Sequence, residues 1–181
     1  SDEAAAQLLI QITGQRQEEV EADMERVGEL CLEHGALDVL VASDQATRDR
    51  LWEARRLIIE ALKHESPVHH MEDLVVPRAK IPALLKGVHE ISERLGVRAL
   101  CFGHAGDGNV HVNLLKDNLP DDVWHEREKA AQKALYELAY SLDGTITGEH
   151  GIGATRKYFL VDALGEVQVN LMKRIKDVFD P

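Results

Sequence analysis

Residues 97–115 read VRALCFGHAGDGNVHVNLL, and this stretch decides the fold. Two apolar, β-forming runs flank a turn that is rich in Gly, Asp and Asn, which predicts a β-hairpin. His104 and His111 bracket the turn, one on each arm. Because residues on opposite arms near a turn come side by side, we expect the two imidazoles to lie close together.

The segments on either side of the hairpin alternate between helix and strand patterns. Apolar residues at helical spacing predict helices over 15–34, 44–63, 80–95, 120–142, 154–162 and 164–179. Short β-forming runs predict further strands over 7–13, 36–41 and 67–76. This order favours an α+β fold, with a mainly antiparallel sheet and helices packed on one face.

A second motif, GTITGEHGIG at 144–153, surrounds the pair Glu149–His150 with glycines at 148, 151 and 153. Each glycine costs backbone entropy on folding, so three in so short a loop need a reason. Close approach of a flat or phosphorylated ligand to the backbone would supply one. The motif lacks the Gly-Lys-Ser/Thr ending of a phosphate-binding loop and does not match the dinucleotide fingerprint.

Glu149 adds a carboxylate to the histidine pair of the hairpin. Two histidines and one carboxylate, with coordination positions left open, are a recurrent catalytic metal set. Spacing alone leaves open that His104 and His111 are hydrogen-bonded turn residues instead. A third signal is LWEARR at 51–56, where one of two adjacent arginines could reach a cleft, although the sequence alone favours a solvated helix face for both.

Composition excludes several classes of function. The formal net charge is −11 and only 4% of the residues are aromatic, which argues against nucleic acid as a partner. No apolar run approaches the roughly 18 residues of a membrane span, and no signal-peptide pattern opens the chain. We therefore expect a cytoplasmic protein, or one peripheral to the membrane in an intact enzyme.

Four segments together resemble the C-terminal domain of one flavoprotein family. They are GHAGDGNVHVN at 103–113, GTITGEHGIG followed by Lys157, LWEARR, and EDLVVPR at 72–78. The family is the vanillyl-alcohol-oxidase-like group of FAD-linked oxidases, in its glycolate oxidase subunit and D-lactate dehydrogenase branch. The resemblance implies that residues 1–181 are the substrate or cap domain, related to ferredoxin-like folds. FAD would be bound mainly by an N-terminal domain of the same protein that this sequence does not contain.

The resemblance also implies roles for individual residues. His104, His111 and Glu149 would bind a divalent metal, zinc in this family, and His150 would be the catalytic base. The implied substrate contacts are Arg55 and Asn113, and the implied FAD contacts are Gly148, Gly151 and Gly153.

The activity implied is oxidation of a small D-2-hydroxyacid, of the D-lactate or glycolate type, to the 2-oxoacid. Hydride would pass to FAD and then to an unidentified electron acceptor, and the isolated chain would be inactive. The 2-hydroxyglutarate branch carries a lysine where this chain has His70, Met71 or Glu72, which favours a smaller acid. Two other classes stay open: a metal-dependent hydrolase, although no HExxH motif is present, and a non-enzymatic α+β binding module.

Overall fold

A computed structural model describes residues 4–181, which fold into α-helices and a small β-sheet. The longer helices are α1 (Gln17–Glu33), α2 (Gln45–Glu65), α3 (Ile81–Leu95) and α4 (Asp121–Ser141). The C-terminal helices are α5 (Gly153–Arg156), α6 (Leu160–Leu164) and α7 (Glu166–Phe179). The strands are β1 (His69–Val75), β2 (Arg98–His104) and β3 (Asn109–Leu115).

Internal contacts divide the chain into two units, residues 1–61 and 62–181. The first unit contains α1 and most of α2. The strands predicted over 7–13 and 36–41 fall in this unit and are wrong, because both segments lack regular secondary structure. Their apolar side chains are exposed, to 72% at Leu8 and 85% at Leu40.

The second unit contains the sheet, in the order β1-β3-β2 with both pairs antiparallel. The predicted hairpin is β2 and β3, and the central strand β3 pairs His111 with Asp73 on one side and with Phe102 on the other. A short turn over Ala105–Asp107 joins the two hairpin strands. The predicted α+β class with an antiparallel sheet is confirmed.

Helices α3 and α4 pack on one face of the sheet and on each other. Strand residues of this face, such as Leu74, Val112 and Leu114, are buried against Leu84 of α3 and Leu135 of α4. Gly96 ends α3 in the left-handed conformation at φ 60°, as its sequence position predicts, because a residue without Cβ adopts that conformation at little cost. The core of the second unit therefore lies on this side of the sheet.

The candidate functional residues of the strands lie on the other face. Successive strand residues point to opposite sides, and directly paired residues on neighbouring strands point to the same side. Asp73, His111 and Phe102 therefore share this second face, and so do Met71 and Asn113 one pair further along.

Candidate metal and catalytic site

The three predicted metal ligands come together at the turn end of the sheet. Nε2 of His111 lies 3.3 Å from Oε1 of Glu149, and Nε2 of His104 lies 3.9 Å from the same oxygen. All three ligand atoms lie within 4.8 Å of one another. Strands β2 and β3 supply the histidines, and the loop after α4 brings the carboxylate to them.

The separations are compatible with chelation of a divalent cation. Bonds of about 2.0–2.1 Å to a tetrahedral zinc place neighbouring ligand atoms about 3.3 Å apart. The His111–Glu149 distance already has this value. His104 and Glu149 are about half exposed, so rotation about side-chain bonds could close the remaining gap. The donor set therefore fits a metal with open coordination positions.

His150, the predicted catalytic base, lies beside this cluster. Its ring stacks on that of His111, with centroids 5.1 Å apart and planes at 9°. Its Nε2 is 3.7 Å from Oε1 of Glu149, and its side chain is 36% exposed. A group that approaches the cluster from solvent can therefore reach both His150 and the three potential ligands.

Asp73 holds the loop that carries Glu149 and His150. Its Oδ2 accepts hydrogen bonds from the backbone amides of Gly148, Glu149 and His150 at 2.8, 2.9 and 2.9 Å. Its Oδ1 accepts one from Nδ2 of Asn109 at 2.8 Å. Burial favours the neutral acid, but the amides of His150 and Glu149 and the Asn109 bond hold the pKa of Asp73 well below its usual range. Asp73 is therefore a buried carboxylate anion.

His111 is almost fully buried, and burial lowers its pKa, with the nearby carboxylates of Asp73 and Glu149 only partly opposing this. The neutral ring that results is the form able to bind a metal. Its Nδ1 lies 3.5 Å from Oδ1 of Asp73 and has no hydrogen bond among the described residues. A buried polar atom without a partner costs about 1–3 kcal/mol.

A second buried carboxylate supports the same loop from the helix-covered face. Oε2 of Glu72 accepts a hydrogen bond from Nε of Arg156 at 3.0 Å. The Arg156 guanidinium also donates to the carbonyl oxygens of Gly151, just after His150, and of Met71 in β1. The loop is therefore tied to β1 on both sides of the strand.

The remaining partners of Glu72 come from α4 and from β1 itself. Tyr136 and Gln132 donate to it, both at 2.7 Å. His70 lies with one ring nitrogen 2.5 Å from Glu72 and the other 2.7 Å from Glu128. This pairing with two carboxylates indicates a protonated His70 in a structural role.

The two predicted substrate contacts have different settings. Asn113 is buried next to the site on β3, where its Nδ2 lies 3.4 Å from the Leu100 carbonyl. Arg55 is on α2 in the first unit, and its role stays a prediction. Three positions of β1 could correspond to the lysine of the 2-hydroxyglutarate branch. Of these, Met71 shares the face of Asn113, whereas His70 and Glu72 point to the opposite face.

Two positions of the loop require glycine for different local reasons. A Cβ on Gly148 would meet Nδ2 of Asn109 at 2.1 Å and a methyl of Val75 at 2.6 Å, so this position must stay without a side chain. Gly151 has φ 76°, in the region that favours glycine.

Asp73 and Arg156 are site-supporting residues that the motifs alone did not reveal. One local signal was present, since Glu72 and Asp73 are adjacent acids inside an apolar, β-forming run. Neighbouring strand residues point to opposite faces, so two adjacent acids on one strand cannot both point to solvent when one face is covered. Their partners in and after the loop, Gly148 and Arg156, lie 75 and 84 residues further along the chain and have no local signature.

The fold and the cluster define a class of protein: an α+β domain with a cluster of two histidines and a glutamate and a further histidine beside a Gly-rich loop. A family model, FAD linked oxidases, C-terminal domain, matches residues 1–181. The chain therefore belongs to this family of FAD-linked oxidases.

Three curated relatives show the nature of the family. A D-lactate dehydrogenase of Anaerostipes hadrus is 34% identical over 99% of this chain, and glycolate oxidase subunit GlcD of Bacillus subtilis is 37% identical over 98%. A D-2-hydroxyglutarate dehydrogenase of Stutzerimonas stutzeri is 32% identical over 84%. The matches span 38%, 37% and 33% of these relatives' lengths, so this sequence corresponds to about a third of each.

In the described part of the chain, no helix combines the length and the apolar character that crossing a membrane requires.

Proposed function

We propose that this chain is the substrate- and metal-binding half of a flavin-dependent dehydrogenase that oxidises a D-2-hydroxyacid to the 2-oxoacid. The observation that carries this proposal is the convergence of His104, His111 and Glu149 next to His150, in a chain of this family. Relatives named D-lactate dehydrogenase and glycolate oxidase subunit support the substrate class. The proposed partners are the FAD-binding domain of the same protein and an unidentified electron acceptor, in the cytoplasm or at a membrane surface.

Each residue of the site has a distinct task in the proposed mechanism. His104, His111 and Glu149 would hold a divalent metal, and Nε2 of His150 would accept the proton of the substrate hydroxyl. Bound zinc would supply Lewis acidity toward the substrate oxygens, and bound FAD would supply the hydride acceptor. Asn113 and Arg55 are the proposed substrate contacts, and the guanidinium fork of Arg55 suits a carboxylate.

The glycines of the loop are the proposed contacts of the flavin. A Cβ on Gly151 or Gly153 would meet no other atom within 4 Å. This side of the loop therefore leaves room for a flat ring at the backbone. Gly148 differs, because Asn109 and Val75 already fill the space beside it, so its proposed contribution to the flavin site is through backbone atoms.

Met71 supports a substrate with a single carboxylate. It lies in β1 directly opposite Asn113, on the face of the candidate metal ligands. A thioether offers no charge to a second carboxylate, whereas lysine would. We expect the zinc-loaded chain to bind D-lactate better than D-2-hydroxyglutarate and Met71→Lys to reverse this order, measured by calorimetry. An unchanged order in the variant would argue against Met71 as a substrate neighbour.

Zinc binding is the direct test of the proposed site. Isothermal titration of the tag-free chain should show about one tight zinc site per chain, which His104→Ala/His111→Ala should lose. His89→Ala/His125→Ala is the matched control, because it removes two exposed histidines outside the cluster. Equal zinc binding by both double variants would overturn the metal assignment.

A further inference from the structure

Asp73 connects, through one side chain, three parts of the site that lie far apart in the sequence. It contacts His111 of β3, Asn109 at the start of the same strand, and the amides of the loop over 148–150. It is fully buried, at 0% exposure. A carboxylate that is shared between a ligand and a loop can set the geometry of both.

We infer that Asp73 is a positioning residue that favours the metal-binding tautomer of His111 and fixes the conformation of the loop bearing Glu149 and His150. This inference rests on the proposed metal site and deepens it. Asp73 acts through these neighbours and touches neither substrate nor metal.

Asp73 also belongs to a second group of potential ligands, with His111 and His150, whose ligand atoms lie within 4.8 Å of one another. Its hydrogen bonds argue against a role as ligand. Oδ2 already accepts three backbone amides, and Oδ1 accepts Asn109. A metal bound to Asp73 would displace these N–H groups from their charged acceptor. Asp73 is therefore better suited to support the metal ligands than to bind the metal itself.

The tautomer follows from the two nitrogens of His111. Nε2 faces Glu149 at 3.3 Å, whereas Nδ1 faces the Asp73 carboxylate at 3.5 Å. Both carboxylates only accept hydrogen bonds, so in the metal-free chain Glu149 competes with Asp73 for the ring proton. Once Nε2 binds a metal, the proton must lie on Nδ1, where the Asp73 carboxylate faces it. This is the tautomer in which Nε2 can bind a metal, and carboxylate–histidine pairs behind metal ligands act in this way.

The loop conformation follows from the three amides. Gly148, Glu149 and His150 are consecutive, and all three N–H groups converge on a single oxygen of Asp73. Convergence of successive amides on one anion restricts the backbone of those residues. The backbone that carries the Glu149 and His150 side chains is therefore held in one conformation.

Asp73→Asn separates this role from simple support of the fold. The amide is of the same size, but its NH₂ group would face either the loop amides or His111 and Asn109. With the oxygen toward the amides, the NH₂ donor faces the Nδ1–H that a metal-bound His111 must carry, which opposes zinc binding. Isothermal titration measures the zinc affinity, and hydrogen exchange of the Gly148, Glu149 and His150 amides reports how firmly the loop is held.

We expect a zinc affinity about 10- to 100-fold lower in Asp73→Asn than in the wild-type chain. We also expect slow exchange of the three loop amides in the wild-type chain and faster exchange in the variant. Asp117→Asn is the control, because it changes a carboxylate that pairs with Arg98 away from the site and should leave both measurements unchanged. Wild-type loop amides that exchange as fast as those of an unfolded peptide overturn the inference, even if Asp73→Asn does not fold. Undiminished zinc binding by folded Asp73→Asn overturns it as well. Failure of the wild-type chain to bind zinc would count against the proposed metal site, while the amide exchange still decides whether Asp73 holds the loop.

Discussion

Gly148 lies where the loop over 148–150 packs tightly against the hairpin. Because a Cβ there would lie 2.1 Å from Nδ2 of Asn109, Gly148→Ala should push Asn109 away from Asp73 and shift the adjacent Glu149. We expect zinc affinity to fall by roughly 10-fold, the scale of defects behind metal ligands, with the far-UV circular dichroism spectrum unchanged.

Gly106→Ala is the matched control for this change. It lies in the hairpin turn, where a Cβ would meet nothing within 4 Å, so its zinc titration should coincide with that of the wild-type chain. Equal titrations of Gly148→Ala and the wild-type chain would show that the loop tolerates the added methyl.

The meeting of His104 and His111 could be predicted at the residue scale because the turn sets the register of a hairpin. The residue type of Glu149 and its motif predict a third ligand, and in the structure Glu149 lies beside the two histidines. The contacts of Asp73 could not be predicted in this way. They join a strand to a loop 75 residues later, and nothing in the local sequence of either segment specifies the other.

Among the elements, short helix α5 is linked to β1 by a buried ion pair, Arg156–Glu72. Removal of one partner of such a pair leaves a buried charge without compensation, which costs about 3–5 kcal/mol. Arg156→Met should therefore lower the free energy of unfolding by about that amount, measured by urea denaturation.

Arg98→Met gives the comparison. Arg98 is 42% exposed and pairs with Glu65 and Asp117 near the chain surface, where an ion pair contributes about 0–1 kcal/mol. If both arginine variants lost the same stability, the buried network would not support α5 as we describe.

Helices and the three strands of the sheet were predictable at this scale, including β1, which pairs with β3 across a long stretch of sequence. The helix predicted over 120–142 is α4 at Asp121–Ser141, because its apolar spacing specifies a buried stripe. The runs at 7–13 and 36–41 have β-forming composition but no ladder in the structure. Strand propensity describes a fit to a pleated surface, and a strand exists only with a neighbour to bond.

At the scale of the whole molecule, His70 and Glu72 should make stability depend on pH. Burial lowers the pKa of His70, but the hydrogen bond and charge of Glu72 and the charge of Glu128 outweigh it, so the pKa is raised above 6.5. A raised pKa stabilises the fold while the group is protonated. This contribution is complete below pH 6.5 and is lost as the pH rises through the folded-state value.

The stability difference between the wild-type chain and His70→Asn should therefore be largest near about pH 6 and smaller near about pH 9. Thermal unfolding at several pH values measures it. His89→Asn, at an exposed helix position, should show no comparable trend. A difference that grows with pH would contradict a protonated His70.

Catalysis is expected to need more of the protein than these 181 residues. The chain corresponds to 38% of the length of its D-lactate dehydrogenase relative, and in our proposal the hydride acceptor is bound mainly by another domain. We expect no dye reduction with D-lactate by this chain alone, and turnover when it is joined to the FAD-binding domain of the same protein. His150→Gln in the joined protein should lower kcat by about 10²- to 10⁴-fold.

The placement of Glu72 and Asp73 on opposite faces of β1 has a consequence for folding fidelity. If β1 slid by one residue along β3, every side chain would change faces. Glu72 would then leave Arg156 and Tyr136, and Asp73 would be pressed among the leucines and valines under α4. In a misaligned strand, the carboxylates of Glu72 and Asp73 would both lack their partners. The same pair of acids that shapes the site also ensures that only one alignment of β1 is stable.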